Sequence, residues 1–112
     1  MLLPNHAKCQ VPDSKLSGYL LARDHIDGGP KARFFERFGF SPSEPDRLRL
    51  ALLAHAVANE VSASRVTEFG QIYEVIGRLV TPDGRNPFVP VAWMIDDGDD
   101  RPRLVTVVPS KG

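Results

Sequence analysis

One stretch, His25-Ile26-Asp27-Gly28-Gly29-Pro30-Lys31-Ala32-Arg33-Phe34-Phe35, gathers most of the chemistry-bearing types in this chain. The His25 imidazole is of a type that can act as general base or acid. Gly28-Gly29-Pro30 is a turn that opens a helix. Free amides at a helix start, with Lys31 and Arg33 beside them, suit an anion. Glycines also let a backbone approach a phosphate closely. Such a set fits phosphodiester cleavage: in RNA a base takes the 2′-hydroxyl proton, and cations or amides steady the charge on phosphorus. A plainer reading uses the same residues as a helix-starting turn, with Lys31 solvated and His25 in a loop. The residues alone leave both open. The Gly-x-x-x-x-Gly-Lys-Ser/Thr pattern of a phosphate-binding P-loop is absent.

Composition narrows the classes. At 112 residues, 42% apolar and 25% charged, the chain fits a single domain, residues 1–112, with one modest core. A formal net charge of zero argues against attachment to nucleic acid through a bulk positive field. Lys31, Arg33, Arg37, Arg47 and Arg49 still form a local basic window. The acidic run Asp96, Asp97, Asp99 and Asp100 around Gly98 reads as a solvated turn. With Cys9 as the only cysteine, an internal disulfide and a multi-cysteine metal site are excluded. No His/Asp/Glu cluster has ligand spacing, so no metal and no cofactor is expected. Met1 to Asn5 lack the charged and apolar regions of a signal peptide, and no run approaches membrane-spanning length. The expectation is a cytoplasmic protein, either complete or one domain of a longer chain.

The elements that must hold these residues can be read in order. Asp13-Ser14 offers a cap, and Leu16, Tyr19 and Leu20 recur at helical spacing, predicting a helix over about 14–22 that Gly18 weakens. Pro30 is placed for the first turn of a second helix, to about Phe38, with Gly39 and Phe40 forming its glycine cap. Ser43 is the expected cap of a third helix, buried through Leu48, Leu52, Leu53, Ala56 and Val57 and ending near Asn59. His55, beside that apolar face, reads as a packing residue. Residues 60–70 read as a loop. Strands follow at Ile72–Val80, Phe88–Ile95 and Arg103–Val108, the first pair joined by the Asp83-Gly84 turn. The fold class is therefore α+β: about three N-terminal helices packed on a three- to four-stranded antiparallel meander.

Alternation along the first of these strands puts Tyr73, Val75, Gly77 and Leu79 under the helices and Glu74 and Arg78 on the open face. Glu74 and Arg78 lie roughly 13 Å apart along the strand, too far to pair with each other. Each reads either as a salt-bridging residue or as a group that holds phosphate. Strand register, and with it the placement of Thr106 relative to Arg78, does not follow from the sequence. Trp93, with Tyr73, reads as core rather than as a base-stacking platform.

Three blocks carry a family resemblance: His-x-x-Gly-x-x-Lys-Ala-x-Phe-Phe from His25 to Phe35; Phe69-Gly70-x-x-Tyr73-Glu74-Val75-x-Gly77; and Gly84-Arg85 through Val91-x-Trp93-x-Ile95 to Pro102-Arg103-Leu104-Val105-Thr106. Together they resemble a family of small uncharacterised bacterial domains, found alone or as C-terminal tips of polymorphic toxins. That family is similar to the ribonuclease toxins of the barnase, EndoU, colicin and RelE type. The resemblance implies helices before an antiparallel meander and a site built from both. It points to His25 and Lys31 from the helical part and Thr106 from the last strand as catalytic residues, with Arg78 as a further addition. Gly28, Gly29, Arg33 and Glu74 are the expected substrate contacts. It also implies a metal-independent endoribonuclease acting on RNA, with tRNA as a substrate by analogy, and a cognate antitoxin or immunity protein as partner. The competing expectation is a non-catalytic protein-binding module of the same fold.

Overall fold

The structure, a computed structural model, describes residues 1–109; the last three residues of the expected domain, 110–112, lie outside it. After a 3-10 turn at His6–Lys8, the expected first helix is two pieces: α1, Asp13–Lys15, continued by a π-helical segment, Leu16–Leu20. The wider turn closes with Leu21 N–H donating to Leu16 O at 2.8 Å. It carries Leu16, Leu20 and Leu21 into the core and leaves Tyr19 half-buried at its margin.

Helix α2 spans Gly29–Arg37 and buries Ala32, Phe34 and Phe35. Its end is the glycine cap expected from the sequence. Gly39 has φ +102°, and Phe40 N–H donates to Phe35 O at 3.0 Å while the two rings pack edge to face. Helix α3 runs Pro45–Ala58. Ser43, the expected cap, does not cap it: Glu44 occupies the cap position without a side-chain bond, and the Ser43 hydroxyl instead pairs with Ser41 Oγ at 2.8 Å. His55 is a packing residue, as expected. It is buried, and its Nε2 lies 3.2 Å from Gly77 O and 3.0 Å from Val89 O, tying α3 to two strands. Its Nδ1 has no partner among the described residues, and burial pushes the imidazole pKa down.

Among the described residues the sheet has four antiparallel strands in the order β1 (Val61–Val66), β2 (Gly70–Arg78), β3 (Phe88–Asp96) and β4 (Arg103–Val107). Strand β1 lies in the segment read as a loop. It is an edge strand exposed along nearly all its length, so Val-Ser-Ala-Ser-Arg-Val shows no apolar alternation. On the opposite edge the N-terminal segment adds to β4: Gln10 N–H donates to Pro102 O and Leu104 N–H to Gln10 O.

The helices cover one sheet face. Val75, Leu79, Val89, Val91, Trp93, Leu104 and Val107 are buried there against Leu16, Leu20, Phe35, Leu48 and Leu52. Burying that apolar set is the main favourable term in folding, at about 25 cal/mol per Å². The acidic run forms the expected turn: Asp96, Asp99 and Asp100 pair with Arg103, Arg101 and Lys8.

Candidate functional site on the open sheet face

The turn His25–Gly28 is held by His25 itself. Its Nδ1 accepts the amides of Asp27 (3.0 Å) and Gly28 (2.9 Å), and its carbonyl accepts Gly29 N–H at 2.8 Å. Pro30 has no N–H, and the amides of Asp27, Gly28 and Gly29, among those expected to meet a phosphate, are already used within the turn. The two glycines are required by the chain, not by a ligand. A Cβ on Gly28 would enter the van der Waals radius of the Tyr19 carbonyl oxygen, and one on Gly29 would lie 2.7 Å from Arg23 O. Because Nδ1 accepts, the neutral ring carries its proton on Nε2, an assignment made from this hydrogen-bond network. In this arrangement His25 presents an N–H donor at Nε2, while its Nδ1 lone pair is taken by the two amides.

Close packing of Gly28 against Tyr19 brings a second side chain into the site. The His25 and Tyr19 rings meet edge to face with centroids 5.2 Å apart, and Lys15 Nζ lies 5.3 Å from the Tyr19 centroid. The Tyr19 hydroxyl is 3.0 Å from Thr106 Oγ1 on β4. A cation, a phenol, an imidazole and a hydroxyl thus form one contiguous group, joining the helical part to the last strand. Lys15 and Tyr19 were not singled out by sequence. Tyr19 falls at an apolar helical position, and its polar partner is 87 positions away.

Strand register settles the placement of Thr106. Ala63, Glu74, Ala92 and Thr106 are cross-strand partners in one row over all four strands. They line an open-face pocket of about 290 Å³ together with Ser64, Arg65, Ile72 and Val108. Glu74 is half-buried and has no hydrogen bond or ion pair among the described residues. Arg78 is elsewhere: it is in register with Phe88, lies 4.5 Å over that ring, and donates to Asn86 O at 2.9 Å. The structure therefore brings together His25 and, through Tyr19, Thr106 and Glu74, but not Arg78. Lys31 and Arg33 follow in the first turns of α2, half-buried and exposed respectively, with no ion pair among the described residues.

The comparisons with known proteins agree with this architecture. The model of one family, described as "Domain of unknown function (DUF6883)", matches residues 2–111. The chain belongs to that family. No curated protein matches it. Among solved structures it is similar to a chain of the "Contact-dependent growth inhibition toxin - immunity protein complex from Klebsiella pneumoniae 342". That match has a TM-score of 0.73 at 14% identity and covers 96% of this chain and 97% of that one. At this identity the likeness is one of fold. This chain and that one share an α+β architecture with helices before strands. Among the described residues no helix is long and apolar enough to cross a membrane.

Proposed function

We propose that this domain is the toxin half of a toxin–immunity pair and cleaves RNA at the open sheet face. The observation that carries the reading is the contiguous Lys15–Tyr19–His25–Thr106 group beside an open pocket. Cleavage by the 2′-hydroxyl needs a proton donor for the departing 5′-oxygen and positive charge near the phosphoryl oxygens. The neutral His25 ring donates a hydrogen bond from Nε2–H to a phosphoryl oxygen, Lys15 and Lys31 supply the charge, solvent water takes the 2′-hydroxyl proton and protonates the departing 5′-oxygen, and the Tyr19–Thr106 pair fixes the substrate side of the group. No protein metal ligand enters this scheme. The toxin–immunity neighbour supports a cognate partner, which in this reading covers the open face; tRNA is a substrate to test first, by analogy.

A second reading, a non-catalytic partner-binding module, is favoured by the exposed edge of β1 beyond Val61, whose own N–H donates to Met1 O. Val66 and Phe69, at and beyond its end, are 81% and 67% exposed. Open strand edges are templates for another chain. Incubation of the purified domain with total RNA and tRNA separates the two. RNA cleavage by the wild type, reduced at least about a hundredfold in His25→Ala and Lys31→Ala, is the expected result. Intact RNA, with harmless expression in cells lacking the neighbouring gene, overturns the nuclease reading in favour of the module.

A further inference from the structure

We propose that the outward face of α3 is a self-association surface, on which a second copy of this chain packs its own α3 antiparallel. From Leu50 to Ala58 the helix carries no ionisable side chain except His55, which is buried against the sheet. Leu48, Leu52 and Ala56 occupy the core side. The solvent side is apolar too. Leu50, Ala54 and Val57 follow at i, i+4 and i+7, with Leu50 66% and Val57 46% exposed. A helix that is apolar all round belongs where it is covered all round. Helix α2 shows the usual alternative, with Arg33 and Arg37 exposed on its outer side. The apolar patch continues beyond α3. Val80 is 64% exposed and, with Phe40, Pro82, Ala51 and Ala54, lines a depression of about 400 Å³ whose one charged border is Arg47.

Shape and charge both choose a second copy as the occupant. With a two-fold axis at Ala54, antiparallel helices set Leu50 opposite Ala58 and Val57 opposite Ala51 of the other copy. Each large side chain then meets a small one, which lets the helix axes approach to about 8 Å. Val57 enters the depression beside Ala51. The same alignment brings Arg47, near the start of the helix, to Glu60, just past its end, and symmetry makes that pair twice. Both side chains are weakly held within one copy. Arg47 is exposed with Glu44 at 3.4 Å, and Glu60 is exposed with the chain's amino terminus at 3.8 Å. A formal net charge of zero leaves no long-range repulsion between copies. Because α3 belongs to the layer that covers the other side of the sheet, this pairing leaves the open face uncovered. It does not depend on what that face does. Fourteen residues span about 21 Å. An interface of that extent is at the small end of specific contacts, so the dimer is weak, with a Kd of about 10–100 µM.

The test is analytical ultracentrifugation of the full chain from about 5 µM to about 1 mM. Expected is a rise with concentration from the mass of one chain to that of two. Ala54→Glu, which sets two carboxylates against each other at the axis, should weaken association at least about thirtyfold. Arg47→Glu and Glu60→Lys should each weaken it about tenfold. An equimolar mixture of those two variants should regain wild-type association, because each supplies the charge that the other's altered residue needs. All three positions are exposed, and fluorescence of the buried Trp93 reports that the variants are folded. A chain that stays monomeric at about 1 mM overturns the proposal, as does a dimer indifferent to Ala54→Glu. A mixture that associates no better than its components overturns it as well. So does a monomer whose Leu50 and Val57 methyl resonances shift only on addition of a cognate partner protein, which would assign the face to that partner.

Discussion

The Tyr19 hydroxyl lies 3.0 Å from Thr106 Oγ1, the one side-chain hydrogen bond that joins the π-helical segment to β4 among the described residues. It couples the rigid sheet to the turn that carries His25, because Gly28 packs directly beneath Tyr19. The arrangement of the candidate site therefore depends on a contact that neither segment makes alone.

Removing either hydroxyl should show this coupling. Tyr19→Phe and Thr106→Val are each expected to lower unfolding free energy by about 1 kcal/mol, and the double variant by little more than one single change. Urea denaturation of the four proteins measures the cycle. A coupling near zero would mean that the hydroxyl contact contributes nothing to stability. Both variants should also lose RNA cleavage by more than their small stability loss explains.

Gly28 should be intolerant of any side chain. Gly28→Ala is expected to cost roughly 2 kcal/mol or more, since the clash is with backbone rather than a flexible side chain. Gly18, in the π-helical segment next to Tyr19, has nothing within 4 Å of an added Cβ. Gly18→Ala should be neutral or stabilise by about 0.5 kcal/mol. Thermal melts of the two variants provide the comparison, and equal effects would refute the close-approach argument.

Folding stability should fall on mild acidification. Burial holds the His55 pKa below its ordinary value of 6.5, with the carbonyls of Val89 and Gly77 opposing the shift. The unfolded chain then binds more protons than the folded one. The His55 contribution is complete above pH 6.5 and is lost progressively as pH falls from there toward the lower folded-state value. Urea midpoints at several pH values between 5 and 8 should decline toward the acid end, and histidine proton shifts should show one ring staying neutral longest. A midpoint that rises on acidification would contradict the assignment.

Cys9 should be a slow thiol. It is half-buried, and burial raises its pKa from 9.0 to about 11. That leaves roughly a hundredfold less thiolate at pH 8 than an exposed cysteine has. Alkylation by iodoacetamide is expected to be at least about tenfold slower in the native protein than in urea; equal rates would place the thiol in solvent.

Local signals in the sequence determined much of this protein. Apolar spacing and the Gly39-Phe40 cap gave the extent of α2, the third helix was legible from a Ser43 cap to near Asn59 where the structure has Pro45–Ala58, and the alternation of Ile72 to Val80 already assigned Glu74 to the open face. These depend on residues within a turn or two of each other, where propensity and periodicity act. Strand β1 escaped because an exposed edge strand has no buried side to mark it. The glycines at 28 and 29 were visible, but their purpose was not: a close approach to Tyr19 and Arg23 looks the same in sequence as a close approach to phosphate. What only the tertiary structure decided was long-range pairing. Strand register set Thr106 beside Ala92 and Glu74 rather than Arg78, and the fold carried Tyr19 to a partner 87 positions away. Register and such contacts are fixed by burial of the whole core at once, so no short stretch of the chain encodes them.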